Sequence, residues 1–436
     1  MTADEQHGSQ GQLRAGYRQT SVKTDAYNIA IIGGGIIGCA LAREIARRFS
    51  KVLLLEKESS VAYHTSGRNS GVVHSGFNPK PGTLKARLCV EGSRLIRQYC
   101  KERGIPCEQV GTYVVAVDEA QAPVLDELKR KGEKNGVPGI EILPIERVRE
   151  REPNVKGVAA MYSPTGAIVD SRALTRSLAD DAVKLGATLA LGQEVTRITE
   201  TPDAADITTK QDVYRARVVV NCAGLHADRL AHMMGVGREF TIAPFRGEYF
   251  VVRRSGPPLI RSMVYPVPHP LVPFLGVHLT RTIDGSVLIG PNAVPAFGRE
   301  AYKRGQVHLL DLAEMVSHKG VWNALLRNRA LTKVAWNELR NSCSQRHFWQ
   351  EASRLVTGLK VEDLALGSRV GIRPQLIRLN GQLLDDLVIE STARSIHILN
   401  VVSPGMTSAI AFAKWFSSRL GDELQWKGLV PDAIPA

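Results

Sequence analysis

Paired cysteines, long apolar runs and an N-terminal apolar segment are all missing from this sequence. Its six cysteines contain no CxxC pair and no paired spacing, which argues against a zinc knuckle and a secreted disulfide framework. No apolar run approaches the ~18 residues of a membrane-spanning helix, and residues 1–25 carry acidic side chains and no signal-peptide core. We expect a reducing, cytoplasmic location, or a mitochondrial one if the source is eukaryotic, with residues 1–25 as a disordered leader.

The composition is that of an ordinary globular protein. Hydrophobic residues make up 44% and charged residues 23% of the 436 positions, a length that predicts two or three structural units. The net charge is +13, which favours anionic substrates, cofactor phosphates or anionic lipid without choosing among them. Nucleic acid is disfavoured as a partner, because the positive charge is spread along the chain and no recognised binding motif accompanies it.

A strand, a glycine-rich turn, a helix and a second strand follow one another early in the sequence. Residues 28–32 and 51–57 are apolar runs typical of buried parallel strands, and a helical periodicity lies between them. Gly33, Gly35 and Gly38 form a GxGxxG pattern directly after the first strand. There they would permit the tight turn, the approach of backbone to a pyrophosphate, and close packing of the helix on the strand. This context favours a dinucleotide-binding unit over a glycine-rich turn without a ligand.

An acidic residue, Glu56, ends the second strand about twenty residues after the glycines, at the distance typical of this unit. A carboxylate at this position can accept hydrogen bonds from a ribose 2′-hydroxyl and would repel a 2′-phosphate. The unit therefore predicts an ADP-containing dinucleotide, but it does not distinguish FAD from NAD.

The character of the sequence changes after residue 240. Residues 241–292 alternate short β-like runs with proline and glycine turns, which predicts an antiparallel sheet. Residues 303–360 are helical in pattern and basic, with ten Lys or Arg against four acidic residues, and they contain Trp322, Trp336 and Trp349. We expect these tryptophans to face the core; the alternative is a surface that meets an anionic membrane or a redox partner.

Several motifs in a constant order favour FAD. HTSGRNSGVVHSG follows the second strand at residues 64–76, and VVVNCAGLHAD occupies residues 218–228. Further motifs are PGTLKARLCVEG (81–92), FRGEYF (245–250), YPVP (265–268), PFLGVHLTRTIDGS (273–286), GPNAV (290–294) and RVGIRPQ (369–375). With these motifs the sequence resembles, from residue 27 to about 420, the D-amino-acid oxidase-like FAD-dependent oxidoreductases and, among them, the L-2-hydroxyglutarate dehydrogenase family.

The resemblance implies an α/β fold with two domains. A discontinuous, Rossmann-like FAD-binding domain would comprise residues 27–100, 160–240 and 362–420, and an antiparallel-sheet substrate domain would comprise residues 101–159 and 241–361, with a helical subdomain at 303–360. The sequence departs from the family pattern within HTSGRNSG, after it at Asn78 and Pro79, and in NVVSPGMTS at residues 400–408. The glycine-rich turn is intact, so the prediction of FAD does not depend on these positions.

The resemblance also assigns residues to the cofactor. Besides the three glycines and Glu56, they lie in the first helix, after the second strand, in the glycine-rich segment and at the start of the last helix, and Val195 would meet the adenine. These residues are Ile36, Lys57, Thr65, Ser66, Arg68, Asn69, Ser70, Val195, Ala223, Gly224, Gly371, Arg373, Pro404, Gly405, Met406 and Thr407.

Oxidation of a 2-hydroxy acid needs a base for the hydroxyl proton and a cation for the carboxylate. His74 lies in the segment that the resemblance places beside the flavin and is the first candidate for the base. His278, on a predicted strand, is the second, and either could instead be a structural histidine. Arg246 and Arg373 are candidate clamps, since a guanidinium can hold a carboxylate through two hydrogen bonds; the alternative for each is a structural ion pair.

Two tyrosines complete the candidate site. Tyr249 and Tyr265 could donate their hydroxyls to a carboxylate, although packing is the commoner role of a strand tyrosine. No metal site is predicted, and the sequence contains no HExxH, GxSxG or P-loop motif.

The predicted function is oxidation of a small L-2-hydroxy acid by hydride transfer from C2 to flavin N5. The best candidate is L-2-hydroxyglutarate, a dicarboxylic acid, giving 2-oxoglutarate, with quinone or O2 as the electron acceptor and a peripheral membrane contact. One alternative is FAD-dependent oxidation of a sarcosine-like amine. Another is a non-catalytic flavin-binding module that docks on a membrane or a partner.

Overall fold

The computed structural model describes residues 26–268, 276–327, 344–401 and 403–426, together with positions 332, 336, 338 and 342. The described strands form sheets of eight, nine and three strands. The predicted α/β class is confirmed: one Rossmann-like sheet mixes parallel central pairs with antiparallel pairs, and the other large sheet is largely antiparallel. The predicted leader at residues 1–25 lies outside the described residues.

The eight-stranded sheet is built around the two strands that flank the glycine-rich turn. Its members are β1 (Tyr27–Ile32), β2 (Val52–Leu55), β9 (Thr188–Ala190), β10 (Val195–Glu200), β11 (Ala205–Thr209), β12 (Val213–Asn221), β19 (Ile389–Ser391) and β20 (Ser395–Ile398). The order is β10-β11-β12-β1-β2-β9, and β20 also pairs with β12. β1 pairs in parallel with both β2 and β12. β2 is buried on both faces, with Val52 and Leu54 in the apolar cluster that includes the helices and Leu53 and Leu55 in the cluster on the other face, which explains its uninterrupted apolar run.

The helices are α1 (Ile36–Ala46), α2 (Leu84–Arg103), α3 (Ala122–Lys134), α4 (Ile145–Arg151), α5 (Ser171–Lys184), α6 (Ala227–Met233), α7 (Leu309–Ser317), α8 (Lys319–Arg327), α9 (Gln345–Ser353) and α10 (Gly405–Trp426). Short 3₁₀ turns occupy Thr65–Gly67, Gly224–His226 and Val361–Asp363. α1 packs against α5 and α10, and α10 against α2. The last helix therefore returns to the dinucleotide-binding unit at the start of the chain.

The nine-stranded sheet consists of β5 (Thr112–Ala116), β6 (Glu141–Pro144), β7 (Ala159–Ser163), β13 (Phe240–Val252), β14 (Met263–Pro266), β15 (His278–Arg281), β16 (Val287–Gly290), β17 (Val294–Pro295) and β18 (Leu364–Arg378). Its pairs are antiparallel, as predicted, except that β14 and β5 are parallel. A small third sheet joins β3 (Val72–Val73), β4 (Cys107–Gln109) and β8 (Ala167–Val169).

Strand pairing corrects two predicted domain boundaries. β7 and β18 belong to the nine-stranded sheet, although residues from 160 and from 362 were assigned to the cofactor domain. β18 pairs with β13 along nearly its whole length. Pairing partners so far apart in sequence leave no local signal, which is why composition and turns did not locate these boundaries.

The two faces of the nine-stranded sheet differ in chemistry. Paired residues share a face, so Phe250, Ile289, Leu279 and Val264 form one apolar row, which packs on Phe348 of α9. Side chains alternate along a strand, and therefore the residues next to these in sequence point to the other face. That second face lies towards the cofactor domain and carries several of the predicted site residues.

The basic helical region departs from the expectation that its tryptophans face the core. Trp349 packs on the core of the nine-stranded sheet, and its indole N–H donates to the Leu359 carbonyl. Trp322 and Trp336 are 49% and 65% exposed, so the expectation is wrong for both. α7 and α8 form an outer helix pair with few buried positions. Because both helices are short and amphipathic, one side of the pair is exposed to solvent. Among the described residues, no helix combines the length and apolarity needed to cross a membrane.

Candidate active site

The glycine-rich turn brings β1, α1 and the end of β12 close together. Gly33 has a φ of +113°, and a Cβ there would lie 2.5 Å from the Cys222 carbonyl oxygen. A Cβ on Gly38 would overlap the Gly33 carbonyl oxygen. Only glycine fits at these two positions, because one needs left-handed backbone and the other leaves no room for a side chain. Ala223 and Gly224 follow Cys222 directly and thus lie at the same turn.

Glu56 and Ser66 line the turn with acceptors. The Gly34 and Glu58 amides donate to the two Glu56 carboxylate oxygens over 2.6 and 2.9 Å. Burial raises the pKa of Glu56, although these hydrogen bonds oppose the rise. At the start of α1, the Ile36 amide donates to Ser66 Oγ over 2.8 Å. The turn therefore offers a partly buried carboxylate beside the positive end of a helix, as a ribose and a pyrophosphate would require.

The segment 64–76 crosses β18 at the contact between the two large sheets. The Thr65 hydroxyl donates to the Ile372 carbonyl over 3.1 Å, and Arg369 donates to the Asn69 carbonyl over 3.3 Å. A Cβ on Gly371 would lie 2.7 Å from the Arg68 carbonyl oxygen. The structure thus brings four predicted cofactor residues together, namely Thr65, Arg68, Asn69 and Gly371. Glycine at position 371 allows β18 to approach segment 64–76 closely.

The start of α10 joins the same segment from the other side. The His74 amide donates to Thr407 Oγ1 over 3.0 Å. Pro404 is buried immediately before α10, Gly405 begins the helix, and Met406 packs on the core between the first sheet and its helices. The structure therefore places these predicted flavin contacts beside segment 64–76, although they are some 330 residues away in sequence.

Other predicted cofactor residues have protein partners or lie farther along the sheet. Lys57 Nζ lies 2.8 Å from Glu58 and 2.5 Å from Glu300. The Arg68 guanidinium stacks 4.1 Å from the centre of the Tyr302 ring. Val195 is on β10 and packs, like Ala223, on the apolar cluster at the other face of the first sheet.

His278 has a geometry suited to accepting a proton. Its Nδ1 lies 2.9 Å from the Gly276 carbonyl oxygen, which can only accept, so Nδ1 carries the hydrogen and Nε2 keeps a free lone pair. Burial, with smaller contributions from nearby Arg373 and His74, lowers the pKa of His278 to about 4 against the opposing effect of the Gly276 hydrogen bond. The ring centre of Tyr265 lies 4.3 Å away. The imidazole is therefore neutral at neutral pH.

His74 is close enough to His278 to lower its pKa. Burial lowers the pKa of His74 to about 4, with a smaller effect from Lys85. Lys85 itself binds Asp385 at 2.7 Å. The structure thus brings both candidate bases to one place, one from each large domain.

Arg373 is a guanidinium without a carboxylate partner. Its Nη1 donates to the Asn292 carbonyl over 3.3 Å, and within the ranges that the structure describes it forms no ion pair within 4.0 Å. Burial lowers the pKa of Arg373, whereas Tyr249 and Glu338 act in the opposite direction. A partly buried cation that lacks a partner is costly in the free protein, and a bound anion would relieve this cost.

Tyr249 and Tyr265 lie on the same face as His278. Burial raises the pKa of both hydroxyls, so both are protonated and can donate hydrogen bonds. Ser70 interacts with the Tyr249 hydroxyl, and Arg373 lies near enough to affect its titration. Four predicted residues therefore share one surface, and His74 lies opposite it. They are Tyr249, Tyr265, His278 and Arg373.

Arg246 is not brought to this surface. In the pairing of β13 with β18, Arg246 is opposite Ile372 and Arg373 is opposite Phe245, so the two guanidinium groups start from opposite faces of the sheet. Arg246 lies 3.3 Å from Glu248 and donates to the Lys303 carbonyl over 3.0 Å. Its surroundings are those of a structural ion pair.

The prediction did not name Asn292, Glu248 or Glu338. Asn292 accepts from Arg373, Glu248 binds Asn292, and Glu338 accepts from the Ala293 amide over 3.2 Å. Asn292 and Glu248 stand inside the motifs GPNAV and FRGEYF, which was the available signal. Nothing local marks Glu338.

Comparison with known proteins agrees with this geometry. A family model described as FAD dependent oxidoreductase (DAO) matches residues 28–419. The L-2-hydroxyglutarate dehydrogenase of Indibacter alkaliphilus is 38% identical over 88% of this chain and 96% of its own, and the mitochondrial enzyme of that name from Homo sapiens is 34% identical over 93% and 90%. The fold is similar to that of FAD-bound L-alpha-glycerophosphate oxidase from Mycoplasma pneumoniae, with a TM-score of 0.71 and 26% identity over 92% of this chain and 95% of that one.

Proposed function

The chain belongs to the DAO family of FAD-dependent oxidoreductases, and on that premise we propose that it oxidises L-2-hydroxyglutarate to 2-oxoglutarate. The family and its cofactor make the protein a flavoenzyme. The substrate is suggested by relatives that carry this name and align over most of both chains. The single observation that carries the proposal is Arg373, a partly buried cation with no carboxylate partner among the described residues, on the same surface as the neutral His278 and opposite the neutral His74.

The residues present fit FAD. The close glycine turn would hold the pyrophosphate at the start of α1, and Glu56 would accept from the ribose. Segment 64–76 and the start of α10 would hold the isoalloxazine ring between the two domains. When bound, FAD supplies a two-electron acceptor for the hydride on C2.

Arg373 would bind and orient the substrate. A guanidinium can hold one carboxylate by two hydrogen bonds, and such a pair is stronger in a partly dehydrated site than in water. Tyr249 would donate its hydroxyl beside the guanidinium, since its raised pKa keeps it protonated. Together they would hold C2 of the acid in one orientation, which is a condition for acting on one enantiomer.

We favour His278 as the base over His74, which sequence analysis put first. The Gly276 carbonyl selects the tautomer of His278 with a free Nε2, and the low pKa keeps this nitrogen unprotonated at neutral pH. The hydroxyl proton would move to Nε2 as the C2 hydrogen leaves. His74 stays the alternative, because its pKa is equally low, although its ring forms no hydrogen bond with the described part of the chain that would orient it.

The test is an anaerobic titration of the flavin absorbance of the purified holoenzyme. L-2-hydroxyglutarate, D-2-hydroxyglutarate and sarcosine are added in turn. We expect bleaching by the L acid alone. Bleaching by sarcosine, with a rate that rises with pH through the amine pKa, would instead identify an amine oxidase. A flavin that none of them bleaches would contradict the proposed substrate.

For the electron acceptor, we propose a membrane quinone reached by peripheral contact through α7 and α8. Leu309, Leu310 and Leu326 are 77%, 85% and 73% exposed, and Trp322 is 49% exposed. Single exposed apolar side chains are ordinary, but a group on two adjacent helices is typical of an interaction surface. Lys319, the first residue of α8, adds a positive charge next to it, which suits an anionic leaflet.

Sedimentation with vesicles tests this contact. We expect the wild type to bind vesicles containing anionic lipid, weakly at high salt, and Leu310→Glu/Leu326→Glu to lose binding while keeping flavin reduction. Val183→Glu/Leu185→Glu, at exposed apolar positions of the cofactor domain, is the matched control and should bind like wild type. Equal binding by both double variants would contradict the assignment of this surface.

A further inference from the structure

Three sequence motifs meet behind the Arg373 guanidinium. Arg373 belongs to RVGIRPQ on β18, Asn292 to GPNAV after β16, and Glu248 to FRGEYF on β13. The Asn292 carbonyl accepts from Arg373 Nη1 over 3.3 Å. Within the described part of the chain this is the one hydrogen bond of the guanidinium, so the position of this carbonyl decides where the guanidinium points.

The side chain of Asn292 ties this carbonyl to β13. Its Oδ1 accepts from the Glu248 amide over 2.8 Å, and its Nδ2 lies 3.4 Å from Glu248 Oε2. Asn292 is 4% exposed. Gly247 lets the loop lie against the strand, because a Cβ there would come within 3.0 Å of the Pro291 ring. The loop is therefore held in one position by both the backbone and the side chain of Glu248.

The Glu248 carboxylate is in turn held by two arginines. Arg304 Nε and Nη2 lie 3.0 and 3.2 Å away, and Arg246 Nε lies 3.3 Å away. Glu248 is 2% exposed. A buried carboxylate with two arginines is an expensive arrangement, for which hydrophobic residues could often substitute without loss of stability. Its presence behind the clamp therefore points to a role in orientation.

The peptide group between Asn292 and Ala293 is bound on both sides. Its carbonyl accepts from Arg373, and its N–H donates to Glu338 Oε2 over 3.2 Å. Glu338 is thereby held near Arg373 without forming an ion pair with it. The guanidinium keeps its charge free for a ligand while its orientation is set by a neutral peptide.

We infer that Asn292, locked by the Arg246–Glu248–Arg304 cluster, is a positioning residue that aims Arg373 at the substrate carboxylate. This inference rests on the proposed function only in requiring that Arg373 binds a carboxylate. It also gives Arg246 a role: it supports the clamp from the opposite face of the sheet. A positioning residue acts on binding more than on the proton or hydride step.

The test compares Asn292→Ala with Asn154→Ala in the FAD-loaded enzyme. Asn154 also donates from its side chain to a carbonyl, that of Leu259, but has no link to Arg373. Binding of glutarate and acetate, which lack the hydroxyl and cannot be oxidised, is followed by the change in flavin absorbance. Asn292→Ala keeps the backbone carbonyl at position 292 but removes the side chain that fixes its position, so we expect the glutarate Kd and the substrate KM to rise about tenfold, equivalent to ~1.4 kcal/mol. The value of kcat should stay within about threefold, since reactive groups are untouched.

The same binding assay shows whether a conservative variant restores the affinity and which results would overturn the inference. Asn292→Ser keeps an oxygen for the Glu248 amide and should recover most of the affinity. Unchanged Kd and KM in Asn292→Ala, or an equal rise in Asn154→Ala, would overturn the inference. If Asn292→Ala does not fold, Glu248→Gln is measured instead, and wild-type glutarate affinity there would overturn it equally.

The outcome for the wild-type enzyme separates this inference from the proposed function. If the wild type binds glutarate and the Asn292→Ala variant binds it equally well, only the positioning role fails. If the wild type binds neither glutarate nor acetate, Arg373 is not a carboxylate clamp, and both proposals fail.

Discussion

The same strands of the nine-stranded sheet form two faces with different roles, one in the apolar core and one in the candidate active site. Phe250 and Leu279 point into an apolar core against Phe348, whereas their sequence neighbours Tyr249 and His278 point to the candidate active site. Because side chains alternate along a strand, each strand contributes to both faces at once. The core face holds the strands in register, and this register determines the distances between the polar groups on the other face.

The charges on the two faces also differ. Behind the sheet, Arg246 and Arg304 are each within ion-pair distance of Glu248, and both arginines also donate to backbone carbonyls. On the site face, Arg373 has no carboxylate partner among the residues described, and burial keeps His278 uncharged. Paired buried charges are typical of structure, whereas an unpaired cation beside neutral bases is typical of a binding site. Each of the following changes alters one face and should leave the other unaffected.

We expect the largest effect on activity from replacing Arg373, the candidate carboxylate clamp. Arg373→Met should lower kcat/KM for L-2-hydroxyglutarate about 10³-fold, ~4 kcal/mol, because the substrate carboxylate loses its charged partner in a partly dehydrated site. Steady-state kinetics of the FAD-loaded enzyme measure this. Arg254→Met removes an exposed arginine just after β13 and serves as the control. A loss below threefold at Arg373 would mean that the carboxylate binds elsewhere.

A change on the core face should affect stability and not catalysis. Phe348 is fully buried, 4.8 Å from Phe250 between ring centres, so Phe348→Ala should lower the free energy of unfolding by about 3–4 kcal/mol. Denaturant unfolding measures it, with the half-exposed Phe297→Ala as a control that should change it by less than about 1 kcal/mol. Below the unfolding transition, kcat should remain near wild type; a large loss of kcat would show that the two faces are coupled.

Replacing each of the two histidines should have a different effect on the rate of single-turnover flavin reduction. His278→Ala should slow reduction by about 10²-fold, as expected for loss of a general base, and His74→Ala by much less. Stopped-flow absorbance under saturating substrate measures both. The reverse ranking would make His74 the base and leave His278 as a packing residue beside Tyr265.

The smallest expected effect is that of pH on the same reduction step. A base with a pKa of about 4 is neutral down to pH 5, so the rate should change by less than about twofold between pH 8 and pH 5. A histidine with an ordinary pKa near 6.5 would be mostly protonated at pH 5, and the rate would fall by about thirtyfold. Such a fall would identify a solvent-exposed base and contradict the assignment to either buried histidine.

The local parts of the molecule were predictable from sequence. α2 begins after Thr83, whose hydroxyl accepts from the Ala86 amide, and is followed by Gly104 with a φ of +64°. The glycines at 33 and 38 also lie where a turn demands them. Capping, periodicity and backbone conformation depend on neighbouring residues, so a single sequence carries them.

The arrangement of the candidate site was only partly predictable. Arg246 and Arg373 were equal candidates, and only the pairing of β13 with β18, more than a hundred residues away, puts them on opposite faces. In the same way, the preference for His278 over His74 depends on a carbonyl two residues away whose orientation no pattern reveals. A shift of one residue in register would exchange the faces.

The sequence by itself determined the dinucleotide-binding unit, the α/β class and the likeness to a flavoenzyme family, because these depend on local periodicity and on glycines that no other residue can replace. Only the tertiary structure decided which arginine lacks a carboxylate partner among the described residues, which histidine has its basic nitrogen available, and that Asn292 stands between Glu248 and Arg373. Those properties arise from strand register and from burial, to which residues from opposite ends of the chain contribute together.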